Sequence, residues 1–184
     1  MQQVKGSVLK SRLAFVEQLA GKDGVERVLA GLGPEDQAAL RHLVAIQWCP
    51  FELGRRLDDA IVQVVGHGRP QFFERLGAAS AETNLTTVHR AFLTPGDPHA
   101  FLAKAPQIYK LYYDTGRRDY VKTGDKEAVL TTYDAETFSA PDCLTVVGWH
   151  RKALEMCGVS RVQIREEECR ARSGIVCRYR ISWV

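Results

Sequence analysis

The sequence predicts an α+β fold, with N-terminal helices packed on a four-stranded antiparallel sheet. Three observations carry this reading. Up to about Gly116 the apolar residues recur at helical spacing; beyond it they mostly alternate as in strands; and the order of helices, hairpin, helix, hairpin is unbroken by repeats or linkers. At 184 residues the chain is expected to form one domain, 1–184, large enough to bury a real core.

The elements follow in order. Ser11 is placed to cap a helix carrying Leu13, Val16, Leu19 and Ala20, ended by Gly21. Asp23 and Glu26 have capping-box spacing before the stripe Val25, Val28, Leu29 and Leu32. Pro34 suits the first position of the next helix, which turns Leu40 and Leu43 inward. After a break at Ile46-Gln47-Trp48-Cys49-Pro50, a helix with Leu53, Leu57 and Ile61 on its buried side runs to Gly66-His67-Gly68. Pro70 opens a long helix through Phe73, Leu76, Leu85 and Val88 to Phe92. Thr94-Pro95-Gly96-Asp97-Pro98 is a loop, and Pro106 kinks or breaks the following helical stretch. Arg117–Lys122 and Ala128–Tyr133 read as a hairpin. Asp142 caps a helix stopped by Gly158, and strands around Val162–Ile164 and Cys177–Trp183 close the fold.

Hydrophobic residues make up 45% and charged residues 26%, ordinary values for a globular chain, and a net charge of +3 gives no reason to expect a nucleic-acid partner. No apolar run approaches the ~20 residues of a membrane span, and the first residues lack a signal-peptide core, so a cytoplasmic location is expected. The five cysteines, an odd number, are read as free thiols. Positive charge concentrates after His150 and is read chiefly as the solvated side of an amphipathic strand.

Three groups of residues are candidate sites. With a loop at Arg172-Ser173-Gly174 and Gly174 left-handed, Cys169 and Cys177 would lie opposite one another across a hairpin, with Cys143 on the neighbouring helix as a third ligand. Zinc needs four ligands, and the sequence supplies no evident fourth, so buried thiols acting as small apolar groups are the preferred reading, no cofactor is expected, and zinc is the alternative. Trp48, Phe51, Tyr109, Tyr113 and Trp149 could line a pocket for a small hydrophobic or aromatic ligand, or simply fill the core. His89 is a lone histidine of the kind that holds haem iron. Enzymatic motifs are missing: there is no nucleophile elbow, phosphate loop or dinucleotide fingerprint, and Asp58-Asp59 diverge on a helix. Catalysis is not expected.

From Cys143 through Met156-Cys157-Gly158, Cys169, Gly174 and Cys177 to Tyr179, the C-terminal third resembles vinyl-reductase-type (V4R) sensor domains, which share a small fold with Bet3-like subunits of vesicle tethering complexes. The opening Val4–Val16 resembles that of haem-nitric-oxide-binding domains. Over its length the chain is similar to a paralogous family of unknown function from myxobacteria, through Ser11–Val16, Pro50-Phe51-Glu52-Leu53, Asp97-Pro98-His99 and Tyr112–Gly116. These resemblances imply a V4R-like or Bet3-like fold and a homodimeric, non-catalytic module that senses a small ligand or, with a filled core, acts as a protein-interaction scaffold. Sensors of this kind carry zinc near cysteines of this region, which is what keeps zinc as the alternative to buried thiols here. Haem is not expected, because the Tyr-x-Ser-x-Arg triplet that grips its propionates in the haem sensors is missing.

Overall fold

The computed structural model describes residues 2–184 and is an α+β fold. Helix α1 (Gly6–Ala30) starts earlier than Ser11. Gly6 abuts the 44–47 loop so closely that a Cβ would sit 2.2 Å from Val44 O, and its N–H donates to Gln47 O at 2.8 Å. Ser11 does not cap; its hydroxyl donates to Ser7 O one turn back. The expected stop at Gly21 is a kink, with φ 66° and ψ −174°, after which the chain re-enters the helix. Glu26 pairs with Arg41 rather than closing a capping box. Strands β1 (Gln3–Lys5) and β2 (Trp48–Pro50) form a two-stranded antiparallel sheet around Val4 and Cys49, which the sequence did not announce.

Helices α2 (Pro34–Arg41) and α3 (Phe51–Val64) pack with α1 over a first core that includes Leu9, Val16, Leu57 and Ile61. Helix α4 (Phe72–Thr86) stops short of Phe92. The Thr86 and Thr87 hydroxyls donate to carbonyls of the preceding turn, competing with the helix, and turns lead into a short 3₁₀ segment at Arg90–Phe92. Pro106 does mark a break: α5 (Pro98–Leu102) and α6 (Ala105–Tyr112) are separate, with the proline in the first turn of α6.

Strands β3 (Arg117–Gly124), β4 (Glu127–Tyr133), β5 (Gln163–Glu168) and β6 (Cys177–Ser182) form an antiparallel sheet in the order β3-β4-β6-β5. Helix α7 (Ala140–Met156) joins the two hairpins and is capped by Ser139, whose hydroxyl accepts from Asp142 N. Asp142 is thereby free to act in the interior. The second core lies on the sheet face that carries Leu130, Tyr179 and Ile181. On the opposite face Arg178 and Arg180 pair with Glu168 and Glu167, so the basic C-terminal stretch is a solvated, ion-paired surface.

Helices α4 and α7 serve both cores and cross backbone to backbone. A Cβ at Gly77 would lie 2.1 Å from Thr145 O, and one at Gly148 1.8 Å from Glu74 O. That contact forms one side of the cavity described next.

Candidate functional site

A cavity of about 70 Å3, counted as space open to water centres, lies between α1, α4, α6, α7 and β3. At ~10–15 Å3 per water it holds roughly five waters. Its walls are mostly apolar and include Leu76, Ile108, Tyr112 and Trp149, with Ser80 and Asn84 as polar points on α4.

Two arginines reach this region. Arg12, 2% exposed, projects from α1 between two carboxylates. Its Nε pairs with Asp58 of α3, and Nη2 reaches Asp58 Oδ2 at 3.1 Å and Asp142 Oδ1 at 3.0 Å. The Tyr113 hydroxyl donates to Asp142 at 2.9 Å. Burial pushes the Asp58 carboxyl up to about 6 even against the pull of Arg12. Asp59 points to solvent, so the Asp58-Asp59 pair diverges as helical geometry requires.

Arg118, 7% exposed, enters from β3. Its Nε donates to Thr132 Oγ1 at 3.0 Å, and its guanidinium lies 4.8 Å over the Tyr109 ring. Among the described residues no carboxylate is within ion-pair distance of it, and its two terminal nitrogens have no acceptor. Those nitrogens are not sealed in: among the described residues the one fully buried side-chain N or O atom without a partner is Glu166 Oε1. Arg118 lines both this cavity and a smaller one of about 20 Å3 beside Thr132 and Tyr179.

His150, six residues before the end of α7, also lines the cavity. Its Nδ1 donates to Val146 O at 2.9 Å, which leaves Nε2 with a free lone pair. Burial, reinforced by the Arg118 charge, holds its pKa down at about 3, so the ring is neutral at pH 7. A histidine whose other nitrogen donates to a carbonyl is oriented as metal-bound histidines are.

Of the ligand residues predicted from sequence, Tyr109, Tyr113 and Trp149 line this cavity. Trp48 and Phe51 do not: Trp48 is partly exposed on β2 beneath Lys5, and Phe51 is buried in the first core. His89 lies on the turn after α4, edge-on to Tyr112 and Phe92, and is not part of the lining. Arg118 and His150 were missed. The signal for Arg118 was period two: it shares a strand face with Tyr120, whereas Arg117 and Asp119 point the other way.

Cys143, Cys169 and Cys177 converge on a second centre, next to the first. Cys143 Sγ lies 3.6 Å from Cys169 Sγ and 3.9 Å from Cys177 Sγ, with all three buried and within 4.8 Å of one another. The route differs from the expected hairpin. The ladder ends at Glu168↔Arg178 after a bulge, Cys169 leads into a 3₁₀ turn, and the left-handed residue is Ser173 at φ 67°, not Gly174. Gly174 is required for a different reason, since a Cβ there would meet Cys169 O at 2.8 Å.

Thiolates bound tetrahedrally to zinc at about 2.3 Å stand roughly 3.8 Å apart, the spacing seen here. Hydrogen bonds from Cys143 S–H and Arg170 N–H pull the Cys177 thiol down to about 7, despite burial. Glu166 on β5 lies near this centre but is not one of the converging groups. It pairs in register with Tyr179, two residues along the buried face from Cys177; its Oε2 takes Arg172, and its Oε1 is the orphan noted above. In sequence Glu166 is the first of three consecutive glutamates, Glu166-Glu167-Glu168. Ile164 shares a face with Glu166, and that was the available clue.

No helix of the described residues is long and apolar enough to cross a membrane. A family model described as "Protein of unknown function (DUF2378)" matches residues 11–184, and the chain belongs to that family. Among curated proteins none matches. Solved structures similar to this one are H-NOX domains. A Fe(II) unliganded H-NOX protein from K. algicida is 13% identical over 98% of this chain and 96% of its own, with TM-score 0.76. A variant H-NOX from T. Tengcongensis is 13% identical over 97% of each chain at TM-score 0.72. A third structure, solved to study haem redox potential modulated through porphyrin distortion, is 13% identical over 97% of this chain and 99% of its own, at TM-score 0.70.

The likeness shows a fold shared with H-NOX domains, and it corrects two expectations. The V4R-like sensor and the Bet3-like scaffold are not supported; whole-chain similarity is to H-NOX domains, and only the opening segment had suggested it. The expectation against haem is overturned with them, because it rested on one missing triplet and the fold is one in which haem domains are solved. The residues give a mixed answer on fit. His150 offers a free, oriented Nε2, whereas a porphyrin needs several times the room of the cavity with its walls as they stand.

Proposed function

We propose that this family member is a non-catalytic domain that senses a small ligand in the cavity between α1, α4, α6, α7 and β3. One observation carries the reading: an apolar-walled cavity lined by Arg118 and His150, each of which has side-chain nitrogens without a protein partner. Support comes from the shared fold, since one neighbour was solved for the mechanism of H-NOX activation. A cytoplasmic setting and a homodimer belong to the same reading. The buried free thiols support the first, and exposed Ile46 and Trp48 support the second.

The test is a thermal-shift and absorbance screen of the whole protein against haemin and small aromatic compounds, repeated on Ser80→Phe, which fills the cavity. At least one compound is expected to raise Tm in a concentration-dependent way and to lose that effect in the filled variant. A flat response across the panel contradicts the reading. Light scattering at micromolar concentration is expected to give twice the chain mass, and a monomer removes the homodimer.

We propose further that Cys143, Cys169 and Cys177 hold zinc as a structural tie between α7 and the β5–β6 hairpin, with the fourth position left to a ligand from outside the chain. Elemental analysis is expected to find about one zinc per chain, reduced in both Cys143→Ser and Cys177→Ser. Protein that takes up no zinc when zinc is supplied shows that the thiols are only small apolar groups.

A further inference from the structure

We infer that the ligand of this cavity is a small organic acid whose carboxylate pairs with Arg118, an inference that rests on the cavity being a ligand site. Arg118 is a cation withdrawn from water and given one neutral oxygen, Thr132 Oγ1, and an aromatic face, Tyr109. Buried charges are ordinarily paired, and the same protein pairs Arg12 with two carboxylates a short way off. The two terminal nitrogens that remain form the fork that binds a carboxylate through two parallel hydrogen bonds.

The rest of the cavity sets the body of the ligand. Its walls are aromatic and aliphatic, so the body is apolar. Room for about five waters, at roughly 30 Å3 of liquid each, suits a single ring rather than a polycyclic plate. The neutral His150 Nε2 adds one acceptor for a hydroxyl or N–H on that body. An inorganic anion would satisfy Arg118 and leave the apolar walls unused.

Titration calorimetry and thermal shift on the full chain, with benzoate, benzamide and inorganic phosphate as probes, test the inference on wild type, Arg118→Met and Arg118→Lys. Benzoate is expected to bind and to raise Tm, with benzamide and phosphate each weaker by about 30-fold or more. Arg118→Met is expected to lose benzoate by a similar factor while keeping its circular dichroism and zinc content, and Arg118→Lys to recover part of the binding. Benzamide equal to benzoate overturns the acid and leaves the cavity reading standing. Phosphate equal to benzoate overturns the organic body. Unchanged benzoate binding in Arg118→Met, or loss of zinc in that variant, overturns the assigned role of Arg118. If neutral aromatics shift wild type and benzoate does not, the acid falls alone; if nothing shifts it, the cavity reading falls with it.

Discussion

Arg12 and Arg118 are both buried, and the stacked rings of Tyr109 and Tyr113 link their surroundings, yet the two are built to opposite rules. Around Arg12, Asp58 and Asp142 supply two carboxylates from two helices, and the Tyr113 hydroxyl donates to Asp142. Around Arg118 there is a threonine hydroxyl, a tyrosine face and open space. The first arrangement ties α1, α3 and α7 together in the folded chain. The second leaves a charge waiting for a partner that the chain does not contain. Burial alone therefore does not distinguish structure from function; the inventory of partners does.

The comparison can be broken most sharply on the Arg12 side. Arg12→Met strands two buried carboxylates and is expected to lower stability by about 3–5 kcal/mol in urea unfolding. A loss below about 1 kcal/mol would show that the cluster is not a tie.

His150 gives the next effect, through pH. Its folded pKa of about 3 lies below the usual 6.5, so its contribution is present above pH 6.5 and is lost as pH falls toward 3. Between pH 6.5 and 5 that is worth about 2 kcal/mol. Asp58 acts in the opposite sense: with its carboxyl raised to about 6, it adds stability as pH falls from 6 toward 3.8. The readout is therefore the difference between wild type and His150→Phe in urea midpoints at pH 7.5 and 5. The variant is expected to lack the acid-side loss, and parallel slopes would contradict the assignment.

Arg118→Met is expected to change stability little or to raise it by about 1–2 kcal/mol in ligand-free protein, because it removes an unpaired buried charge. The smallest effect belongs to the surface. Glu26 and Arg41 form an exposed pair, and Arg41→Ala is expected to leave the unfolding midpoint where it was.

Much of the architecture was legible because hydrophobic period reports it directly: the helical first part, the two hairpins and the break at Pro106 all follow from local pattern. Tertiary contacts were not legible in that way. Gly6 starts a helix because the 44–47 loop needs the space, and Ser139 displaced Asp142 as the cap of α7 because Asp142 is held by Arg12. β1 and β2 are three residues each, too short for any period to show. At the thiol centre, spacing suggested the three cysteines, and the fold does bring them together, though by a 3₁₀ turn rather than by a hairpin register. Arg118 was hidden as half of an Arg-Arg pair. Its meaning comes from the missing countercharge, which only the folded chain reveals.

The most direct measurement sets the two arginines side by side: urea unfolding of wild type, Arg12→Met and Arg118→Met at neutral pH, in a buffer free of organic acids. The account predicts a midpoint well below wild type for Arg12→Met and one equal to or above wild type for Arg118→Met. An Arg118→Met variant that loses as much as Arg12→Met would show that both arginines are structural, and the case for a reserved ligand site would go with it.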